Sequence, residues 1–193
     1  MTVITLPSGI AAQTLTPRYV DYGMNNEPVN GGTITRTDRP GNRFAVSGNF
    51  PPLKSSSNGQ TVLSRLIQAQ RGTLRLPFTQ PGDALTGLDS ATFSLSGTLG
   101  TSVSVAGVAG GVEIPEGRFF CFEQSGRSYL HQVVSFASNV LTFEPELRVA
   151  TVAGTALEFN DTVIDGAFMA KGYQWEQWLD GNVSLPFDLV ERW

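Results

Sequence analysis

The stretch that most constrains the fold is residues 118–148, RFFCFEQSGRSYLHQVVSFASNVLTFEPELR. It reads as three short strands joined by two turns. Residues 118–122 are apolar on both faces, 123–126 have the polar and Gly content of a hairpin turn, and 128–136 are rich in aromatic and β-branched residues. A second turn at 137–139 leads to a strand at 140–143, and Pro145 is expected to stop the ladder. Side chains alternate across a strand, so Phe119 and Cys121 face one way while Phe120 and Phe122 face the other. Both faces therefore need cover. One face can pack within the meander; the other needs the rest of the chain or a neighbouring subunit.

The remainder also reads as mainly β. The 193-residue chain contains 21 Gly and 11 Pro, which favours short strands and many turns. Strands are expected at 33–37 and 43–50, hairpinned through the 39–42 turn, and at 73–78, 91–96 and 102–106. More are expected at 146–152 and 156–159, and 167–178 with 183–190 read as a closing hairpin. The one helix is expected at 60–70. Val62, Leu63, Leu66 and Ile67 form its apolar stripe, Ser57 or Asn58 its cap, and Gly72 its stop.

Charged residues make up 16% of the chain, against about 25% in an average soluble domain, which points weakly to covered surfaces and assembly. The charge is also unevenly placed. Eight basic and three acidic residues occur up to Arg75, but five basic and fourteen acidic from Asp83 onward. Nucleic-acid binding and head-to-tail association of identical copies both fit such a split; the dispersed arginines and scarce lysines favour association. The candidate contact residues are Arg65, Arg71 and Arg75 on the basic side, Glu144 and Glu146 on the acidic side, and the aromatic pair Phe120 and Phe122.

Residues for chemistry are sparse. Cys121 has no disulfide partner and reads as a small buried hydrophobe. His131 is the only histidine and has no second ligand at metal spacing, so it reads as packed or hydrogen-bonded. The glycines at 107–111 lack the Lys-Ser/Thr of a phosphate loop, and Glu144 and Glu146 read as a solvated strand end. No catalytic set, cofactor or metal is expected. Tyr173, Trp175, Trp178 and Trp193 would either stack a sugar or base or fill a core or an oligomer seam. No apolar segment reaches the roughly 18 residues of a membrane span, and the N-terminus lacks a basic-then-apolar signal pattern. Synthesis in a cytoplasm without a membrane anchor is the expectation.

Several segments carry a resemblance. A Gly-rich stretch precedes Glu116-Gly-Arg-Phe-Phe-Cys-Phe, an aromatic strand lies at 128–134, and Leu141-Thr-Phe-Glu-Pro-Glu-Leu-Arg follows. Beyond Gly154-Thr come 173–175 and Leu185-Pro-Phe-Asp-Leu-Val-Glu191. Together with the upstream strands and helix, this resembles the distal tail proteins of siphophage-like bacterial viruses. The resemblance implies a split β-barrel or sandwich belt domain, formed by 1–82 and completed by 156–193, with a small barrel-like module inserted at 83–155. It also implies a ring, usually of six copies, at the tail tip of the virion, assembled after synthesis in the bacterial host. Such a ring joins the tail tube protein to the hub protein, and its lumen passes the tape-measure protein and DNA without specific binding. Many such proteins carry a large C-terminal domain for fibres or sugar; with the chain ending at Trp193, that role is not expected. The alternatives are a tail tube, tail terminator or head–tail connector subunit, and a carbohydrate-binding β-module.

Overall fold

The computed structural model describes residues 2–37 and 39–192. In chain order the first elements are β1 (Val3–Thr5), β2 (Thr14–Val20), β3 (Met24–Asn26), β4 (Thr35–Thr37), β5 (Arg43–Asn49), β6 (Leu53–Lys54), α1 (Gln60–Ala69) and β7 (Thr73–Pro77). The middle of the chain contributes β8 (Thr92–Phe93), β9 (Gly100–Ala106), β10 (Phe119–Gln124), β11 (Arg127–Ala137), β12 (Val140–Leu147) and β13 (Leu157–Glu158). The chain then forms β14 (Val163–Phe168), β15 (Glu176–Gln177), β16 (Asn182–Ser184) and β17 (Pro186–Glu191).

The fold is mainly β with one helical segment, as the sequence implies. The first sheet has the order β1-β7-β14-β17-β5-β2 and is antiparallel except for the parallel β1–β7 pair. The second, β13-β10-β11-β12-β9-β8, is antiparallel. A bridge between Thr92 and Ala156 draws its two ends together into a nearly closed barrel. A small sheet, β15-β16-β6, lies beyond one end of the first, and among the described residues β3 and β4 pair only with each other. The second sheet takes in Leu157 and Glu158, two residues past the expected end of the inserted module.

The central meander forms with tight turns. Gln124 pairs with Arg127 across Ser125-Gly126, and Ala137 pairs with Val140 across Ser138-Asn139. All four turn residues have positive φ, the geometry that matches strand twist in two-residue hairpins. Pro145 does not end β12, which runs on to Leu147 and meets Gly100 of β9. The pairing of β12 with β11 does end at Glu144, just before the residue that lacks an N–H.

The two faces of β10 are covered by one chain. Phe120 and Phe122 enter the barrel core with Phe93, Phe143 and Phe159. Cys121 and Leu130, with Phe119 beside them, pack into the core of the first sheet with Phe44, Val46 and Leu189. The apolar back of the meander is thus the floor of the first module.

Other local expectations differ from the structure. The 33–37 strand pairs with β3, while β5 sits between β2 and β17. β3 and β4, consecutive in the chain, form a hairpin of their own, and β5 takes both its partners from the first sheet. Residues 148–156 form no strand apart from the Ala156 bridge, and the closing hairpin is divided: β17 pairs with β14, and β15 with β16. Helical hydrogen bonding begins in a wider turn, Ser55–Gly59, kinked at Ser57. Ser57 and Asn58 therefore lie within that turn, and no side chain caps α1. The buried side of α1 is Val62, Leu66 and Ala69 against the first sheet; Ile67 is exposed.

Gly48 on β5 lets β2 and β17 pack closely on its two sides. A Cβ built there would lie 1.9 Å from the Thr14 carbonyl oxygen and 2.9 Å from Phe187 Cζ. Backbone cannot yield to it without parting the strands, so Gly48→Ala should cost about 3 kcal/mol, at the upper end of ordinary overpacking. Chemical denaturation of the two proteins checks this.

Candidate functional site

Where β12 leaves β11, the amide hydrogens of Ser128 and Leu130 lose their strand partner. Two carboxylates of the first sheet replace it. Asp165 on β14 accepts from the Ser128 N–H at 2.8 Å, and Glu191 on β17 accepts from the Leu130 N–H at 2.8 Å. Both carboxylates are fully buried. Arg75, directly across from Asp165 on β7, binds it through Nε and Nη2 at 2.8 and 2.9 Å. The same guanidinium reaches Glu123 on β10 at 2.8 Å. Glu191 pairs with Arg148, whose guanidinium also faces the Tyr129 ring. Burial pushes the Glu191 carboxyl up, against the downward pull of Arg148 and of the Leu130 and Phe44 amides. The Arg75 pKa is raised, chiefly by its bonds to Asp165.

A second set of bonds fixes the two chain crossings between modules. Arg118 donates to the carbonyls of Asp83 and Phe159 and to Asn160 Oδ1 at 3.1–3.3 Å. Gln80 bonds both the N–H and the carbonyl of Phe119. The outgoing and returning segments are thereby held to the start of β10.

The two most reactive side-chain types lie in the core. His131 is fully buried between Phe120, Phe122 and Phe143, with Nδ1 2.8 Å from the Pro145 carbonyl. Desolvation, reinforced by the charge of Arg148, lowers its pKa to about 3. The Cys121 thiol is buried, which pushes its pKa up, and its sulfur accepts from the Val163 N–H. Among the described residues no group of three or more His, Cys, Asp or Glu side chains could hold a metal ion. No helix in the described residues is long and apolar enough to cross a membrane.

The expected contact residues are dispersed. Arg65 and Arg71 are exposed and make no ion pair among the described residues. Arg75 is instead part of the inter-sheet network, so its charge is satisfied within the chain. Phe120 and Phe122 are 0% and 1% exposed and present no surface to another copy, because the barrel closes over them. Glu144 is exposed and meets Tyr19 Oη at 3.4 Å; Glu146 is half-buried. Both line a cleft of about 650 Å³ opposite Arg36 and Arg39.

Exposed apolar side chains occur on the barrel (Leu95, Leu99, Val134, Val140 and Val152) and on two further surfaces. One is the arm at residues 21–42, which carries the β3–β4 hairpin. No described residue from 21 to 40 is buried, and Met24, Val29 and Ile34 are exposed. The other is an aromatic cleft of about 680 Å³ lined by Tyr173, Trp175, Asn49, Glu176, Ser184 and Pro186. Tyr173 and Trp175 stack with ring centroids 6.1 Å apart, and Trp175, Trp178 and Leu179 are exposed nearby. Trp193, grouped with them by sequence, lies outside the described residues.

Sequence reasoning missed Asp165, Glu191 and Arg148. A signal for Glu191 exists: Phe187, Leu189 and Glu191 occupy alternate, inward positions of one strand. No protein-family model matches the chain, and no curated protein matches it.

Two predictions follow from the buried groups. Asp165→Ala leaves the Ser128 N–H unmet and Arg75 without its main partner, and should destabilise the protein by about 3 kcal/mol or more in equilibrium unfolding. His131 binds its proton less readily when folded than when unfolded, where its pKa is about 6.5. The stability it supports is present above about pH 6.5 and lost as pH falls toward 3. Between pH 7 and pH 5 the wild-type protein should lose about 2 kcal/mol through this group. His131→Leu should remove that part of the slope in unfolding curves measured across the same interval.

Proposed function

We propose that this chain is a structural subunit of a bacteriophage tail tip, a distal tail ring protein that joins the tail tube to the hub and lines the passage for DNA. The observation that carries the reading is the distribution of side chains. Buried titratable groups (Asp165, Glu191, His131 and Cys121) are engaged in holding the fold. Large apolar side chains are instead exposed on the arm, at the aromatic cleft and on the barrel, where Leu95, Leu99, Val134, Val140 and Val152 face outward. Such surfaces suit contacts between proteins. The sequence resemblance to distal tail proteins supplies the setting, and the exposed Arg65 and Arg71 supply a basic surface for a neighbouring copy.

A carbohydrate-binding role is the second reading, favoured by the stacked Tyr173–Trp175 pair beside an open cleft with amide and carboxylate side chains. Glycan binding that is abolished by Trp175→Ala would support it; a glycan array without hits removes it.

Electron microscopy of the purified protein and of tails containing it tests the ring reading. Ring-shaped oligomers, present as one or two rings at the tail tip, are expected. Many stacked copies along the tail would instead identify a tube subunit, and absence of rings from both samples would overturn the proposal. Charge reversal of Arg65 and Arg71 to Glu should reduce ring formation at least tenfold while leaving the melting temperature within about 3 °C, since both side chains are exposed.

A further inference from the structure

The arm and the aromatic cleft sit at opposite ends of the first sheet. At one end Thr14 and Pro186 both pair with Asn49, which lines the cleft. At the other end Val20 pairs with Arg43, and the arm spans the connection between those two residues. The seven residues of β2 separate the two by about 20 Å. A surface at one end and its complement at the other cannot meet within one copy. They can meet between copies related head to tail.

Both surfaces are also structurally incomplete. The β3–β4 hairpin has three residue pairs and no core of its own. Two-stranded hairpins of this kind are marginal in water unless further strands or an apolar face support them. Val29 at the hairpin loop is as exposed as an isolated residue, and Ile34 and Met24 are about half exposed. On the other side, β15 is the exposed edge of a three-stranded sheet, next to Trp175 and close in sequence to Leu179. An added strand would extend that sheet, with the apolar arm side chains against the tryptophans.

We infer that the arm of one copy docks in the Tyr173–Trp175 cleft and along β15 of the next copy, a head-to-tail contact that propagates around a ring. This contact rests on the ring reading above and specifies how its subunits join. Residues 21–42 match the roughly 20–30 residues that one side of a standard interface supplies. The polar side chains Asn49, Glu176 and Ser184 would form the rim, where interfaces are hydrated and hydrogen-bonded. Each copy uses both ends, so a closed ring holds every subunit by two contacts while an open pair is held by one.

The test uses two variants of the full chain, Val29→Asp/Ile34→Asp in the arm and Trp175→Ala/Leu179→Asp in the cleft. All four side chains are exposed, so thermal melting should match the wild type within a few degrees. Sedimentation velocity is run on wild type, on each variant, and on an equimolar mixture. The wild type should associate with increasing concentration, and each variant alone should remain monomeric. The mixture should form dimers and nothing larger, because the cleft variant has an intact arm and the arm variant an intact cleft. Association of either variant to the wild-type extent overturns the inference; if rings still form, the ring reading stands without it. A mixture that remains monomeric, or a wild type monomeric up to millimolar concentration, also overturns it. Loss of glycan binding in the cleft variant with assembly intact overturns it in favour of a sugar site.

Discussion

The structure depends on what happens beside β11. That strand is too long for its neighbour: β12 pairs with it only as far as Glu144 and beyond that point pairs with β9 alone. Two backbone donors are left in a dry interior, where an unmet N–H costs about 1–3 kcal/mol. Asp165 and Glu191 meet them with charge-assisted bonds. Each carboxylate in turn requires a cation, and Arg75 and Arg148 supply one each. One of those arginines belongs to the first sheet and the other directly follows β12 of the barrel, so the same few bonds that satisfy the backbone also tie the two sheets together.

Apolar packing acts in the same direction. The back of the β10–β11 hairpin gives Phe119, Cys121 and Leu130 to the first sheet's core, while its front gives Phe120, Phe122 and Tyr129 to the barrel. Neither core is complete without that hairpin. The two cores thus share one hairpin, and the arm and the aromatic cleft lie at opposite ends of the first sheet.

Much of this was legible in the sequence, and the failures have physical causes. The period-2 alternation of 118–122 states that both faces are covered, and the observed division between two cores follows it. What alternation cannot state is which surface provides the cover. That ambiguity made Phe120 and Phe122 candidates for contact with another copy when the barrel itself encloses them. Arg75 failed for a related reason. Its charge is visible in the sequence, but its partner Asp165 lies 90 residues away, and only the β7–β14 register brings them opposite each other. The strand at 33–37 was legible as a strand, yet its partner was not, because a short polar strand with no buried side chain carries no register information. The aromatic residues at 173–178 were legible as a cluster. Their exposure was not, since tryptophan serves cores and contacts alike.

Amide hydrogen exchange at Ser128 and Leu130 reports on the two carboxylate bonds themselves. If Asp165 and Glu191 replace the missing strand, both amides should exchange only through global unfolding, with protection equal to that of Tyr129, whose position is paired with β10. Rapid exchange at Ser128 and Leu130 beside a protected Tyr129 would show that the two sheets separate while each stays folded, and would contradict the account of a single body locked by buried carboxylates.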